Sequence, residues 1–172
     1  MGLNKQMAAP GVFSGAALAS PDKLGRFALP AVLRNSVPGD GKQRQLYVTT
    51  HEVAPCLVGS GTDRLATISA RIDRAEDIAV QRGVDFDRFV MERRLFGPGE
   101  TLPMDGSGRF ILSDVLAELA ALDSDIFFYG VGQTFEIWDV ARLLALDDGA
   151  YANVQAAAQA AMRVRARKVG GE

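Results

Sequence analysis

One pattern is written twice in this chain. "SPDKLGRFALPAVL" runs from Ser20 to Leu33, and "PMDGSGRFILSDVL" runs from Pro103 to Leu116, 83 positions further on. Both read Asp-x-x-Gly-Arg-Phe-x-Leu, with Val-Leu three residues later. A repeat constrains the fold more than composition does, because a small unit that cannot bury its own apolar face must bury it on another copy.

Each copy predicts the same order of short elements. In the first, Phe13–Leu18 reads as a strand and "PDKLGR" as a turn in which Gly25 supplies a positive φ. "RFALP" is a second strand, and Pro30 suits the first turn of a helix, "PAVLRN". After the loop "VPGDGKQ", "QLYVTT" and "CLVG" are strands. In the second copy Phe96-Gly97 answers Phe13-Ser14, "RFILS" is the strand, and Ser113 caps a helix over 114–122. "DIFFYGV" and "FEIWD" answer the last two strands. Between the copies, Leu65, Ile68, Ile72 and Ala79 form an apolar stripe that predicts a helix over 62–79 with Thr62 as N-cap. Gly83 breaks it, and a second helix follows at 85–95. An Ala-rich helix closes the chain over 150–168.

The expected fold class is α+β, mainly β. The segments are a flexible tail at 1–12, a first repeat at 13–60, two helices at 61–95, a second repeat at 96–140 and a helical end at 141–172. The run Ile126-Phe127-Phe128-Tyr129 predicts a strand covered on both faces. Four short strands cannot do that alone, so interlocked hairpins and further copies in an oligomer are expected.

Several function classes are excluded or disfavoured. One Cys and one His rule out an internal disulfide, a Cys-rich zinc site and a His-pair metal site, so no metal or cofactor is expected. No apolar run approaches the ~18 residues of a membrane span. "GVFSGAALAS" ends like a signal cleavage site, but Ser14 and Gly15 break its short apolar region. His51 reads as a solvated loop residue and Cys56 as a small buried hydrophobe. The Gly-rich 97–108 lacks the Gly-Lys-Ser/Thr of a phosphate loop. Asp147 and Asp148 read as solvated, and no nucleophile has a visible base partner, so no catalytic residue is expected.

Charge distinguishes the copies. Residues 1–60 carry a net +3, 61–95 zero, 96–150 a net −8, and 151–172 a net +3. Asp and Arg, four apart across a Gly turn, read in two ways. The pair fixes the turn through a carboxylate–guanidinium contact, or the Arg is aimed outward at an anion. The local charge favours the second reading for Arg26 and the first for Arg109. "RVRARK" at 163–168 likewise either complements the helix dipole or forms a mobile basic tail that touches phosphates.

Phe13-Ser14-Gly15, Asp22-Lys23-Leu24-Gly25-Arg26, Pro30, Arg34, Phe96-Gly97, Asp105-Gly106-Ser107-Gly108-Arg109 and "YGVGQTFEIWD" (129–139) together resemble the MraZ family. These are transcriptional regulators of bacterial division and cell-wall gene clusters. The resemblance covers nearly all of 13–150. It implies two tandem AbrB-like swapped-hairpin β-barrel units with connecting helices and a C-terminal helix, ring-shaped homo-oligomers, and repressor binding to direct repeats in the promoter of the family's own operon. It also implies a cytoplasmic, nucleoid-associated protein with double-stranded DNA as partner. Arg26 and Arg34 map onto its DNA-contacting positions. Lys23, Lys42 and Arg44 are expected to add phosphate contacts, while Asp22, Gly25, Asp105, Gly108 and Arg109 shape the turns. Family members often carry Arg at the place of Ser14 and Lys at that of Leu24. Two alternatives therefore stand beside this one: an assembly protein that keeps the ring without operator binding, and an AbrB-type antitoxin.

Overall fold

A computed structural model of the chain describes residues 11–39, 44–123 and 125–170. In chain order the elements are β1 (Ala16–Ala19), β2 (Phe27–Ala28), α1 (Ala31–Arg34), β3 (Gln45–Thr50), β4 (Leu57–Gly61), α2 (Arg64–Arg82) and α3 (Arg88–Phe96). They continue with β5 (Glu100–Pro103), β6 (Arg109–Phe110), α4 (Asp114–Leu119), β7 (Ile126–Gly130), β8 (Phe135–Asp139), α5 (Val140–Leu144) and α6 (Ala152–Val169). The fold is α+β, built on an antiparallel sheet as expected.

Six strands form that sheet in the order β1-β7-β8-β4-β3-β5, and β2 pairs with β6. Exchanging the corresponding strands of the two copies leaves this order unchanged when read backwards, so a pseudo-two-fold passes between β4 and β8. Each copy gives its first strand to the other: β1 lies along β7, and β5 lies along β3. Neither copy completes its part of the sheet without the other, which is the physical reason for the repeat. At the centre Gly59 faces Phe135. A Cβ at Gly59 would stand 2.2 Å from the Phe135 ring, so the missing side chain is what seats that ring.

Strand periodicity sorts the apolar side chains to two faces. One face carries Leu46, Val48, Phe128 and Ile137, which pack with Leu33, Phe110 and Leu116 from the β2–β6 layer and the short helices. On the other, Phe127 and Trp138 lie against Leu143, Val154 and Ala158 of α5 and α6. Tyr47 lies against Ile68, Ile72 and Leu95 of α2 and α3. The run 126–129 is therefore covered on both faces, but within one chain. The expectation that further copies are needed to cover it is not met, because α6 does so.

Several local expectations shift. Phe13 makes an isolated bridge to Gly132, and the first strand begins at Ala16. Thr62 does not cap α2; Asp63 holds the N-cap position without a side-chain bond, and Thr62 offers its backbone carbonyl to Leu65. Asp87 caps α3 by accepting from the N–H of Val90, and Ser113 caps α4 by accepting from Leu116. α4 stops at Leu119, just before Ala121 takes a positive φ of 48°. The short α5, capped by Asp139, falls at the start of the helical end expected at 141–172, ahead of the Ala-rich helix predicted over 150–168. Of the tail expected at 1–12, all but Gly11 and Val12 lie outside the described residues, as does Lys42. Among the described residues no helix is long and apolar enough to cross a membrane.

Candidate nucleic-acid interface

Each Asp-x-x-Gly-Arg stretch closes a tight turn, and the two turns are bonded alike. In the first, Asp22 N–H donates to the Arg26 carbonyl at 2.9 Å, and Gly25 N–H donates to the Asp22 carbonyl at 3.0 Å. Asp22 Oδ1 accepts from the N–H groups of Leu24 (2.8 Å) and Arg26 (3.0 Å), and Oδ2 accepts from Arg26 Nε (2.8 Å). In the second, Asp105 Oδ1 accepts from Ser107 and Arg109 N–H, both at 2.9 Å, and Oδ2 from Arg109 Nε at 2.8 Å. Donors aimed at a carboxylate favour its charged form. The Arg26 backbone N–H, then the Arg26 side chain, hold Asp22 down at about 2. Asp105 is lowered too, first by the Arg109 backbone N–H.

Gly25 and Gly108 sit at φ 73° and 78°, the left-handed conformation the turn requires. The pairs are only half covered: the side chains of Arg26 and Asp22 are 29% and 33% exposed, and those of Arg109 and Asp105 are 40% and 37% exposed. Neither pair is a buried ion pair, so holding the turn does not make either Arg indispensable to the fold.

The turns stand side by side. β2 and β6 pair through Phe27 with Phe110 and Ala28 with Arg109, and Leu29 N–H donates to the Gly108 carbonyl at 2.9 Å. Arg26 Nη1 comes within 3.9 Å of Asp105 Oδ2. Arg34 crosses from the first copy and donates through Nη1 to the Ser107 carbonyl in the second turn. Arg44 donates to the carbonyls of Gly39 and Arg34 at 3.1 and 3.2 Å. Both Arg34 and Arg44 thus bind neutral carbonyls, and among the described residues neither is ion-paired. A guanidinium on a carbonyl keeps its charge, so both add positive potential beside the turns. No sequence pattern signals these bonds, because each joins segments that the sheet brings together.

The outer tips differ. Lys23 and Leu24 in the first turn stand where the second has Gly106 and Ser107, and both first-turn residues are exposed. Three of the ten acids that give 96–150 its charge are engaged away from the turns. Asp139 is buried and caps α5, Glu136 accepts from Trp138 Nε1, and Asp125 pairs with Arg165.

In this setting the comparison with known proteins is decisive. No protein-family model matches the chain. A transcriptional regulator MraZ from Pseudomonas savastanoi pv. phaseolicola is 32% identical over 144 residues, which cover 84% of this chain and 91% of that protein. The chain belongs to the MraZ family. The MraZ regulator of Saccharophagus degradans is 28% identical over 80% of this chain and 92% of its own length. That of Xanthobacter autotrophicus is 32% identical over 72% and 74%.

The remaining sequence candidates have structural roles in this MraZ-family fold. His51 Nδ1 accepts from the N–H groups of Val53 (3.0 Å) and Ala54 (2.8 Å), so this half-buried loop residue fastens the turn before β4. Cys56 is buried, and desolvation pushes its thiol up. Asp148 accepts from Ala150 N–H at 2.9 Å, at the start of the last helical segment. Among the described residues no group of three or more His, Cys, Asp or Glu could hold a metal ion.

Proposed function

We propose that this chain is a sequence-specific DNA-binding repressor without catalytic activity, which seats its paired turns on direct repeats in the promoter of its own operon. The observation that carries this reading is the composite face made by the two turns, with Lys23 at an exposed tip and Arg26 behind it. Arg26 uses Nε and Nη2 on Asp22, while its Nη1 lies 3.9 Å from Asp105 Oδ2, beyond hydrogen-bond distance, and turns its donors to a base edge or phosphate. A bidentate arginine–guanine contact contributes about 1–3 kcal/mol of discrimination. Arg34, Arg44 and Lys42 add sequence-blind attraction. Asp22 and Gly25 shape the reading turn, and Asp105, Gly108 and Arg109 form the turn that buttresses it. The units so used are the AbrB-like repeats at 13–60 and 96–140.

One such face is a small footprint. A ring of copies presents it several times, and neighbouring copies on spaced repeats gain through effective concentration. The α2–α3 hairpin favours self-association, because it exposes Val80, Val84 and Phe89 in one stretch of chain.

The test is fluorescence anisotropy with a duplex from upstream of the protein's own gene and a scrambled duplex of the same composition. The parent chain is expected to prefer the first. Arg26→Ala is expected to lose that preference with little change in melting temperature, because the pair it breaks is partly solvated. Equal binding of both duplexes by the parent, or an Arg26→Ala chain that still discriminates, overturns the reading.

A further inference from the structure

The basic end of the chain is neither a loose tail nor only a dipole cap. α6 continues to Val169, and its last turns carry Arg163, Arg165, Arg167 and Lys168, all exposed. One of the four is fixed. Arg165 Nη2 binds Asp125 Oδ2, and Arg165 Nη1 lies 3.4 Å from Ser20 Oγ, which itself donates to Asp125 Oδ1 at 2.5 Å. Ser20 follows β1 and stands two residues before Asp22, where the first turn begins. α6 packs on β1, Leu18 shares one apolar cluster with Ala158 and Ala161, and further along both elements Arg165 meets Ser20, so the two run in the same sense. At about 1.5 Å per residue, the turn after Arg165 carries the helix roughly 4–5 Å further in the direction in which the chain enters the first turn. Among the described residues Arg163, Arg167 and Lys168 have no acidic partner.

We infer that the end of α6 is a second DNA-contacting element, held beside the first turn by the Arg165–Asp125–Ser20 cluster, whose Arg163, Arg167 and Lys168 bind backbone phosphates flanking the sequence that the turn reads. The inference rests on the DNA-binding reading above. It assigns the helix affinity without sequence preference, since phosphate contacts position a protein but do not specify bases.

The experiment replaces Arg163, Arg167 and Lys168 together by Gln in the full chain. Gln has a helix propensity close to that of Arg and Lys, and circular dichroism checks that helix content is kept. Binding to the upstream duplex and to its scrambled counterpart is titrated over a range of salt. The variant is expected to bind both duplexes more weakly by the same factor. Its log K against log salt should be shallower by ~0.9 for each phosphate no longer neutralised, hence by about 2–3 if all three side chains bind phosphate. An unchanged slope and affinity overturn the inference while leaving the turn reading intact. A parent chain that prefers neither duplex removes the turn reading, and this inference with it. Loss of binding to phosphatidylglycerol vesicles with unchanged DNA binding also overturns it, in favour of a membrane surface. A second readout does not depend on the triple variant: Arg167→Cys carrying a photoactivatable aryl azide, with the native Cys56 buried, should crosslink to the duplex, whereas the same label at Ala160→Cys should not. Equal crosslinking from both positions counts against the placement.

Discussion

Gly106 and Gly108 stand two residues apart in the second turn and meet different demands. Gly108 has φ 78°, and a Cβ there would lie 2.3 Å from Arg34 Cδ; Gly106 meets nothing within 4 Å. Gly108→Ala is therefore expected to lose at least ~1–2 kcal/mol from the left-handed conformation alone, and to push Arg34 off the Ser107 carbonyl. Gly106→Ala should stay within about 0.5 kcal/mol of the parent. Urea midpoints at constant m-value separate the two, and equal midpoints would refute the distinction. Asp22 gives a pH signature. Its folded pKa is depressed from 3.8 to about 2, so its contribution is fully present above the unfolded value and disappears as pH falls through that window. Asp22→Asn lacks the contribution at every pH. The melting-temperature gap between parent and variant should therefore be constant near neutrality and close as pH falls from about 4 to about 2. At this scale the sequence was informative about local bonds: the Asp-to-Arg spacing and the glycine position both specify the turn. It was silent about Arg34 and Ser107, whose bond spans 73 residues.

The elements were legible where a pattern belongs to one segment. "QLYVTT" forms β3 over the predicted six residues, and "FEIWD" forms β8 over its five. The stripe of Leu65, Ile68 and Ile72 became the face of α2. What was not legible is which element covers which. Phe127 and Trp138 needed a cover, and periodicity cannot say that α6 supplies it from the same chain rather than from a second copy. The end of α6 carries its own prediction. Asp125 is lowered by the Arg165 side chain first and the Ser20 hydroxyl second, so the anchor holds above the ordinary carboxylate range and is lost as pH falls below it. An exposed pair of this kind is worth about 0.2–1 kcal/mol, enough to change fraying without unfolding the domain. Amide exchange at 164–169, corrected for intrinsic rates, should be faster in Asp125→Asn than in the parent near neutrality, and the difference should vanish as pH falls below the ordinary carboxylate range. Exchange that matches the parent at every pH would mean that the anchor does not hold the helix.

For the whole molecule, the sheet alters what the charge pattern means. Segment charges of +3 and −8 suggested a basic surface and an acidic one, yet the strand exchange sets the two turns side by side, with Arg26 within 3.9 Å of Asp105. The candidate site was therefore legible as two turns but not as one face. The physical basis for assembly also moves. Because β7 is covered within the chain, a partner copy must be sought at surfaces that remain apolar, and the α2–α3 hairpin offers Val80 at 73% and Phe89 at 70% exposure. Arg88, bonded to Asp73, Glu76 and Glu92, holds the two helices so that this surface is fixed. Phe89→Asp tests it cleanly. A carboxylate at so exposed a position disturbs the isolated fold little, but buried between copies without a partner it is strongly unfavourable. Light scattering of the parent should give a mass several times 18.4 kDa, and that of the variant should approach 18.4 kDa with the melting curve of the fold retained. Avidity adds a second condition. If assembly multiplies a weak footprint, the variant should lose far more affinity for a duplex with several repeats than for one with a single repeat. A variant that keeps the parent's mass removes the hairpin from the interface. One that becomes monomeric yet binds both duplexes as the parent does removes assembly from recognition.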